Sequence, residues 1–525
     1  MKKILLISLA LIVIIGVLVT GCSKDEGGGG TTDEGEPVFG GTLRVITASG
    51  PQVLGGFEGG PADLGAVLWG LNGYVDATAA RGQGNGLEPV LAKEVVEDIE
   101  GKRLVFYLKE GILFHDGSEL TADVAMWNYQ QTMDNGRFWN IAMFDGMEKI
   151  DKYTFAIKFK EYSNQFIQNW AWAHPRSQKA YMDATGGDAE KGKVWNRDHI
   201  VGAGPFKLVE YKRDSHMTWT KYENYWNKPL PYLDGVNIRY IPDPVAARAI
   251  MEKGEADYWL GAPARDQKEM YDAGFKKISG WVGLIMSIWP NTSDPDSIWN
   301  NKDLRYALDY ALDKPAIALA IGAGLYVPLT QLAPSTEWGY DPNYPVRGYD
   351  AAKAKELIEK AGYTTIKTKL LIGNTPAEQD AGTAIKGYLD AVGIETELDV
   401  ADPGRFFGTV WGKAQPGLSF MWSGMDITNL LTYMRWFSTN PFTNLVYLGH
   451  TDYQAALDKE AVTYSDPAKQ KEVTERAYKY LNDGAYLIPV YQIPSASVAA
   501  KYVHSQQFQQ GFVRWQQELI WMDPH

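Results

Sequence analysis

A single cysteine in 525 residues, at position 22 directly behind an apolar run, constrains this chain more than any other feature. Lys2 and Lys3 supply positive charge, Ile4 to Val19 is apolar, and Val19-Thr20-Gly21-Cys22 closes the segment. Charge, apolar stretch and small residues in that order make a secretory signal, and the final four residues read as a lipobox. Cleavage before Cys22 leaves an N-terminal cysteine whose sulfur can take a diacylglyceryl group. The apolar run is shorter than the roughly 20 residues of a spanning helix, so residues 1–21 are expected to be removed and Cys22 lipidated. With no second cysteine, no internal disulfide can form.

Residues 22–38 form a tether. Ser23 to Pro37 reads SKDEGGGGTTDEGEP, with no large apolar side chain to bury and several carboxylates that repel one another. A coil of this length reaches about 20–25 Å, enough to hold a folded body near a membrane partner. The roughly 490 residues that follow exceed the ~250–300 that one core supports, so at least two domains are expected. A formal charge of −13 argues against nucleic acid as a partner, because such binding rests on basic contacts to phosphate. The 18 Trp and 30 Tyr point to ring-lined clefts as well as to cores.

From about Gly40 strand and helix signals alternate, the pattern of an α/β protein. Tyr153, Phe155, Ile157 and Phe159 alternate with polar neighbours as a half-buried strand does. The runs 103–108 and 112–115 flank Lys109-Glu110-Gly111 and read as a hairpin. Leu304, Ala307, Leu308, Ala311 and Leu312 fall on one helical face, as do Ala354, Leu357, Ile358 and Ala361 before Gly362. A third helix starts at Ser465-Asp466-Pro467 and ends before Gly484. Lys369 to Val400 reads strand, helix, strand, a βαβ unit with parallel pairing.

Several blocks then resemble one family in its own order. They are GGTLRV at 40–45, Glu88-Pro89-x-Leu91-Ala92, the Phe-His-Asp-Gly turn at 114–117, and Leu120-Thr121-Ala122-Asp123-Val124, one residue short before Asp123. Further on come GAGPFKLVEY at 202–211, YENYW at 222–226, YLDGVNIRYIPDP at 232–244, EKGEADYW at 252–259, DLRYALDYALDK at 303–314, the helix at 350–363 and IPVYQ at 488–492. Collinear over most of the mature chain, these resemble the family 5 extracellular solute-binding proteins, the oligopeptide-, dipeptide- and nickel-binding lipoproteins of ABC importers.

The resemblance implies a two-lobe, periplasmic-binding-protein-like (class II) α/β fold with an extra subdomain on the first lobe. Lobe 1 would span 39–283 with the subdomain inserted at about 84–195, lobe 2 would span 284–488, and 489–525 would return to lobe 1. It implies a binding protein and no enzyme, partnered by ABC permease subunits, by the membrane through its lipid, and by a captured oligopeptide. An oligosaccharide is the alternative ligand and nickel or a metal complex the third. A monomer suffices, and the location is extracytoplasmic, either the periplasmic side or the outer face of a cell membrane.

The residues themselves carry no catalytic constellation and no cofactor fingerprint. Gly187 to Lys193 imitates a phosphate loop, but Val194 stands where a hydroxyl is needed. The histidines at 115, 174, 199, 216, 450, 504 and 525 include no i, i+4 pair, so no metal site is expected. His115 reads as a turn residue. For ligand capture the candidate is Trp422, Ser423, Gly424, Met425 and Asp426. In peptide-binding relatives a Trp is followed at three residues by an Asp that neutralises the ligand's α-ammonium. Here Met425 holds that place and Asp426 comes one later, so either a bulge brings Asp426 in, or no free amino terminus is bound, or Asp426 caps a turn. Trp289 and Asn291 on the first crossing between lobes, Tyr491 on the second, and Trp411 are further candidates, each open to a packing role.

Overall fold

The computed structural model describes residues 35–51, 53–55, 90–135, 141–164, 166, 175–279, 284–411, 414, 417–424, 452–494, 496–505 and 517–524. The chain opens with β1 (Thr42–Thr47). Leu43 and Val45 go into one core, while Ile46 goes into another on the opposite face. A strand apolar on both sides belongs at the centre of a covered sheet, and that is where β1 lies.

An inserted module comes next. β2 (Ala92–Asp98) and β3 (Arg103–Leu108) are followed by α1 (Ala122–Asp134), β4 (Phe144–Lys149) and β5 (Thr154–Phe159). The strands form an antiparallel sheet in the order β2-β3-β5-β4. Phe106 stacks on Phe155 at 4.8 Å, and Tyr129 of α1 closes over both. The 103–108 and 112–115 runs do not pair. β3 turns back on β2, helped by Asp98 Oδ1 accepting the Gly101 N–H, while Leu113 bridges Glu119. Two short helices, α2 (Gln178–Thr185) and α3 (Ala189–Asn196), complete the module, N-capped by Ser177 and Asp188.

The chain then builds the rest of the first sheet. β6 (Phe206–Lys212), β7 (His216–Lys221) and β8 (Gly235–Tyr240) precede α4 (Pro244–Glu252), β9 (Tyr258–Trp259), α5 (Ala264–Asp272) and β10 (Lys276–Ser279). With β11 (Leu284–Pro290) a second sheet begins, served by α6 (Lys302–Tyr310), α7 (Lys314–Gly322), β12 (Val327–Pro328) and α8 (Ala351–Lys360). The βαβ unit expected at 369–400 is β13 (Ile366–Gly373), α9 (Pro376–Ala391) and β14 (Ile394–Ala401), with β13 and β14 parallel. α10 (Pro403–Trp411), β15 (Gly417–Gly424), α11 (Asp452–Thr463), α12 (Pro467–Gly484) and β16 (Ile488–Ile493) finish this half.

β17 (Ala496–Ala499) returns to the first sheet, and the pair β18 (Val503–His504) and β19 (Trp521–Met522) packs against its core. The sheets run β10-β17-β9-β1-β8-β7-β6 and β12-β16-β11-β15-β13-β14. Two differences from the sequence reading concern boundaries. The face from Leu304 to Leu312 is broken after Tyr310, because Asp313 caps a new helix by accepting the Ala316 N–H. β16 pairs with β11 from Ile488 to Ile493, so the chain changes sheets after Ile493 and not at 488.

Candidate functional site

Strand direction locates the cleft. In the first sheet β1, β8 and β9 are parallel, and antiparallel β17 and β10 place Ala496 and Ser279 beyond the C-terminal end of β9. In the second sheet β13, β14 and β15 are parallel, and Leu284 and Ile493 pair beside the C-terminal end of β15. Both crossings therefore join the C-terminal edges of the two sheets. Ligands of open α/β sheets bind outside such C-terminal edges.

On the first sheet this edge carries Thr47, Tyr240 and Trp259. On the second it carries Gly373, Ala401 and the run Trp422–Gly424. Of these, Trp422–Gly424 are candidates from the sequence; Thr47, Tyr240, Trp259, Gly373 and Ala401 lie at strand ends that the βαβ pattern alone could have pointed to. α9 starts at this edge with Thr375 and Glu378 in a reciprocal capping box. A side chain at Gly373 would meet the Glu378 carboxylate, which would have to shift away from its capping position.

Trp422 is partly buried and packs against both apolar cores of the second sheet. Next to it the ladder with β11 slips: Ile285 pairs with Gly424 and Met286 with Trp422, leaving Ser423 as the extra residue. Such a bulge bends the strand and re-aims its side chains. Ser423 Oγ lies 2.8 Å from Ser287 Oγ and donates to the Ile285 carbonyl at 3.4 Å, so its hydroxyl stitches the bulge into the sheet. Gly424 ends β15, whereas Met425, Asp426 and Cys22 lie outside the described residues.

The remaining candidates sit deeper. Trp289 is 1% exposed and packs among Leu371, Met421 and Phe406, in the core beneath β15. Tyr491 is 2% exposed, its ring 5.2 Å from Tyr326 and 5.9 Å from Phe420. Burial, then the neighbouring Tyr326 and Glu378, pushes its hydroxyl far above the usual tyrosine range. Asn291 donates its backbone N–H to the Gly417 carbonyl, and its Oδ1 accepts from the N–H and hydroxyl of Ser293, closing its own turn. Trp411 is the last residue of α10. The geometry thus gives Trp289, Asn291 and Tyr491 packing and turn contacts behind the edge that Trp422 occupies.

His115 is a turn residue. Its Nε2–H donates to the Gly204 carbonyl at 3.0 Å and its backbone N–H to Gly202, while its ring meets Tyr222 edge-on at 4.8 Å. Tyr222 in turn donates to the Phe114 carbonyl, so this cluster joins the inserted module to the first sheet.

Comparison with known proteins follows the same outline. Residues 86–444 match the family model described as bacterial extracellular solute-binding proteins, family 5 Middle. The oligopeptide-binding protein AppA of Bacillus subtilis (strain 168) is 24% identical over 434 residues, covering 76% of this chain and 77% of that protein. Heme-binding protein A of Haemophilus influenzae is 26% identical over 439 residues, covering 77% and 78%. The periplasmic binding protein DppA of Helicobacter pylori, solved with the peptide STSA, superposes with a TM-score of 0.78 at 19% identity, covering 93% of this chain and 99% of that one.

Proposed function

Since the chain belongs to the bacterial extracellular solute-binding proteins of family 5, we propose that it captures oligopeptides in the interlobe crevice and presents them to an ABC permease. In this reading the protein stays tethered outside the cytoplasm by a lipid on Cys22. Among the described residues no helix is long and apolar enough to cross a membrane. The observation that carries the proposal is the convergence of both parallel-strand edges on the two crossings, with Trp422 on one of those edges. Closure about two short crossings couples binding to a change of shape that a transporter can read.

The bulge at Ser423 supports a peptide ligand. It is an extra residue in β15 between Trp422 and Asp426, the interval for which the family resemblance implies one residue fewer. In this reading the bulge absorbs that residue and Asp426 serves as counter-charge to a ligand ammonium. A buried ammonium without that partner is strongly disfavoured. The name of the oligopeptide-binding relative AppA supports a peptide ligand.

Titration calorimetry with a mixed-sequence pool of short peptides tests the reading. Saturable binding is expected, weakened at least about tenfold by Trp422→Ala, and by Asp426→Ala or N-acetylation of the peptides. Binding of cello-oligosaccharides with no response to peptides would overturn the ligand assignment.

A further inference from the structure

We infer that Asn164 is a latch that holds the inserted module against the second lobe in the ligand-free chain and limits how far the crevice opens. The inference rests on the two-lobe closure proposed above. Asn164 follows β5, and the loop that carries it is fixed to the module at both ends. Tyr162 donates to Glu97 Oε2 at 2.6 Å, and Phe166 stacks on Phe159 at 3.9 Å. The partner is the C-terminal end of α11, which belongs to the other half of the molecule: Leu457 and Ala461 pack with Trp289, Leu371 and Met421 of the second sheet.

Between these two bodies Asn164 makes three hydrogen bonds. Its Nδ2 donates to the carbonyls of Ala461 and Tyr464, each at 2.6 Å, and its backbone N–H donates to the Val462 carbonyl at 3.1 Å. The last four carbonyls of a helix have no partner within the helix. Asn164 therefore caps α11 from a different lobe, and the cap is lost when the lobes part.

The opposite end of the side chain shows why this contact is reversible. Asn164 is buried, yet its Oδ1 has no hydrogen-bond partner among the described residues. Three neutral hydrogen bonds set against one buried, unpaired oxygen leave a small net gain. A latch that must release its cargo to a permease needs such a near-balance.

Amide hydrogen exchange and small-angle scattering on the full chain without ligand test the latch. Asn164→Ala and the milder Asn164→Ser are expected to speed exchange about tenfold in residues 160–166 and in 459–464 together, and to raise the radius of gyration. The control is Gln470→Ala, which removes a donor to the same Tyr464 carbonyl from within the second lobe. It is expected to speed exchange near Tyr464 while leaving 160–166 and the radius unchanged. Wild-type exchange at 459–464 in both Asn164 variants, or an unchanged radius, would overturn the latch. These readouts need no solute, so they fail or succeed independently of the peptide assignment.

Discussion

At His115 one proton governs the joint between the inserted module and the first sheet. Burial pushes the imidazole down to about 4, the Gly204 hydrogen bond opposing and the nearby Lys207 adding to the shift. The ring is neutral in the fold because Nε2–H faces a carbonyl while Nδ1 is buried with no hydrogen-bond partner among the described residues. An unfolded histidine titrates near 6.5, so above that pH both states are neutral and the full stability is present. As pH falls from about 6.5 to about 4 the unfolded state takes up a proton that the fold refuses, and stability declines by roughly 3 kcal/mol. Below about 4 this contribution levels off. Unfolding free energies measured from pH 7 to pH 4 for wild type and His115→Gln should diverge by this slope, and parallel curves would exclude the burial account. Such a turn role is legible from Phe-His-Asp-Gly alone, whereas the depth of burial depends on Tyr222 and Gly204, about a hundred positions away.

At the scale of elements, the break between α6 and α7 is held by charge. Asp309 Oδ1 and Oδ2 meet Lys314 Nζ and Arg347 Nε, each at 2.5 Å, with the three side chains 1%, 4% and 11% exposed. Arg347 also donates to the Asn482 carbonyl of α12, tying that helix to the same knot. Asp309→Ala would leave two buried cations uncompensated, and a loss of about 3–5 kcal/mol is expected in thermal or denaturant unfolding of the second lobe. A loss under about 1 kcal/mol would mean that water screens the knot. The apolar periodicity from Leu304 to Leu312 showed which face is buried but not where the helix stops, because the core side of the turn stays apolar through Ala311 and Leu312. The stop was written in Asp313 and Pro315, an N-cap and a first-turn proline. The hairpin expected at 103–115 failed for a different reason. β3 satisfies its hydrogen bonds with β2 and with β5, some fifty residues on, and local spacing says little about such long-range pairing.

At the scale of the molecule, the two-lobe α/β class was legible from collinear motifs and the βαβ pattern, and the site only in part. Trp422 was a candidate because it lies in a family-like segment, and the fold puts it at a C-terminal strand edge. Trp289, Asn291 and Tyr491 lie on the crossing strands, yet their side chains point into cores and turns, a distinction fixed by the pleat and by two bulges in the sheet. The same topology makes the central claim physical: two sheets joined at their C-terminal edges by two short crossings can swing shut over a solute. Scattering from the full chain, with and without a saturating mixed-sequence peptide pool, tests that claim most directly. A radius of gyration that shrinks on peptide addition, in step with the calorimetric saturation, is the predicted result; saturable peptide binding with an unchanged radius would contradict closure as the basis of capture.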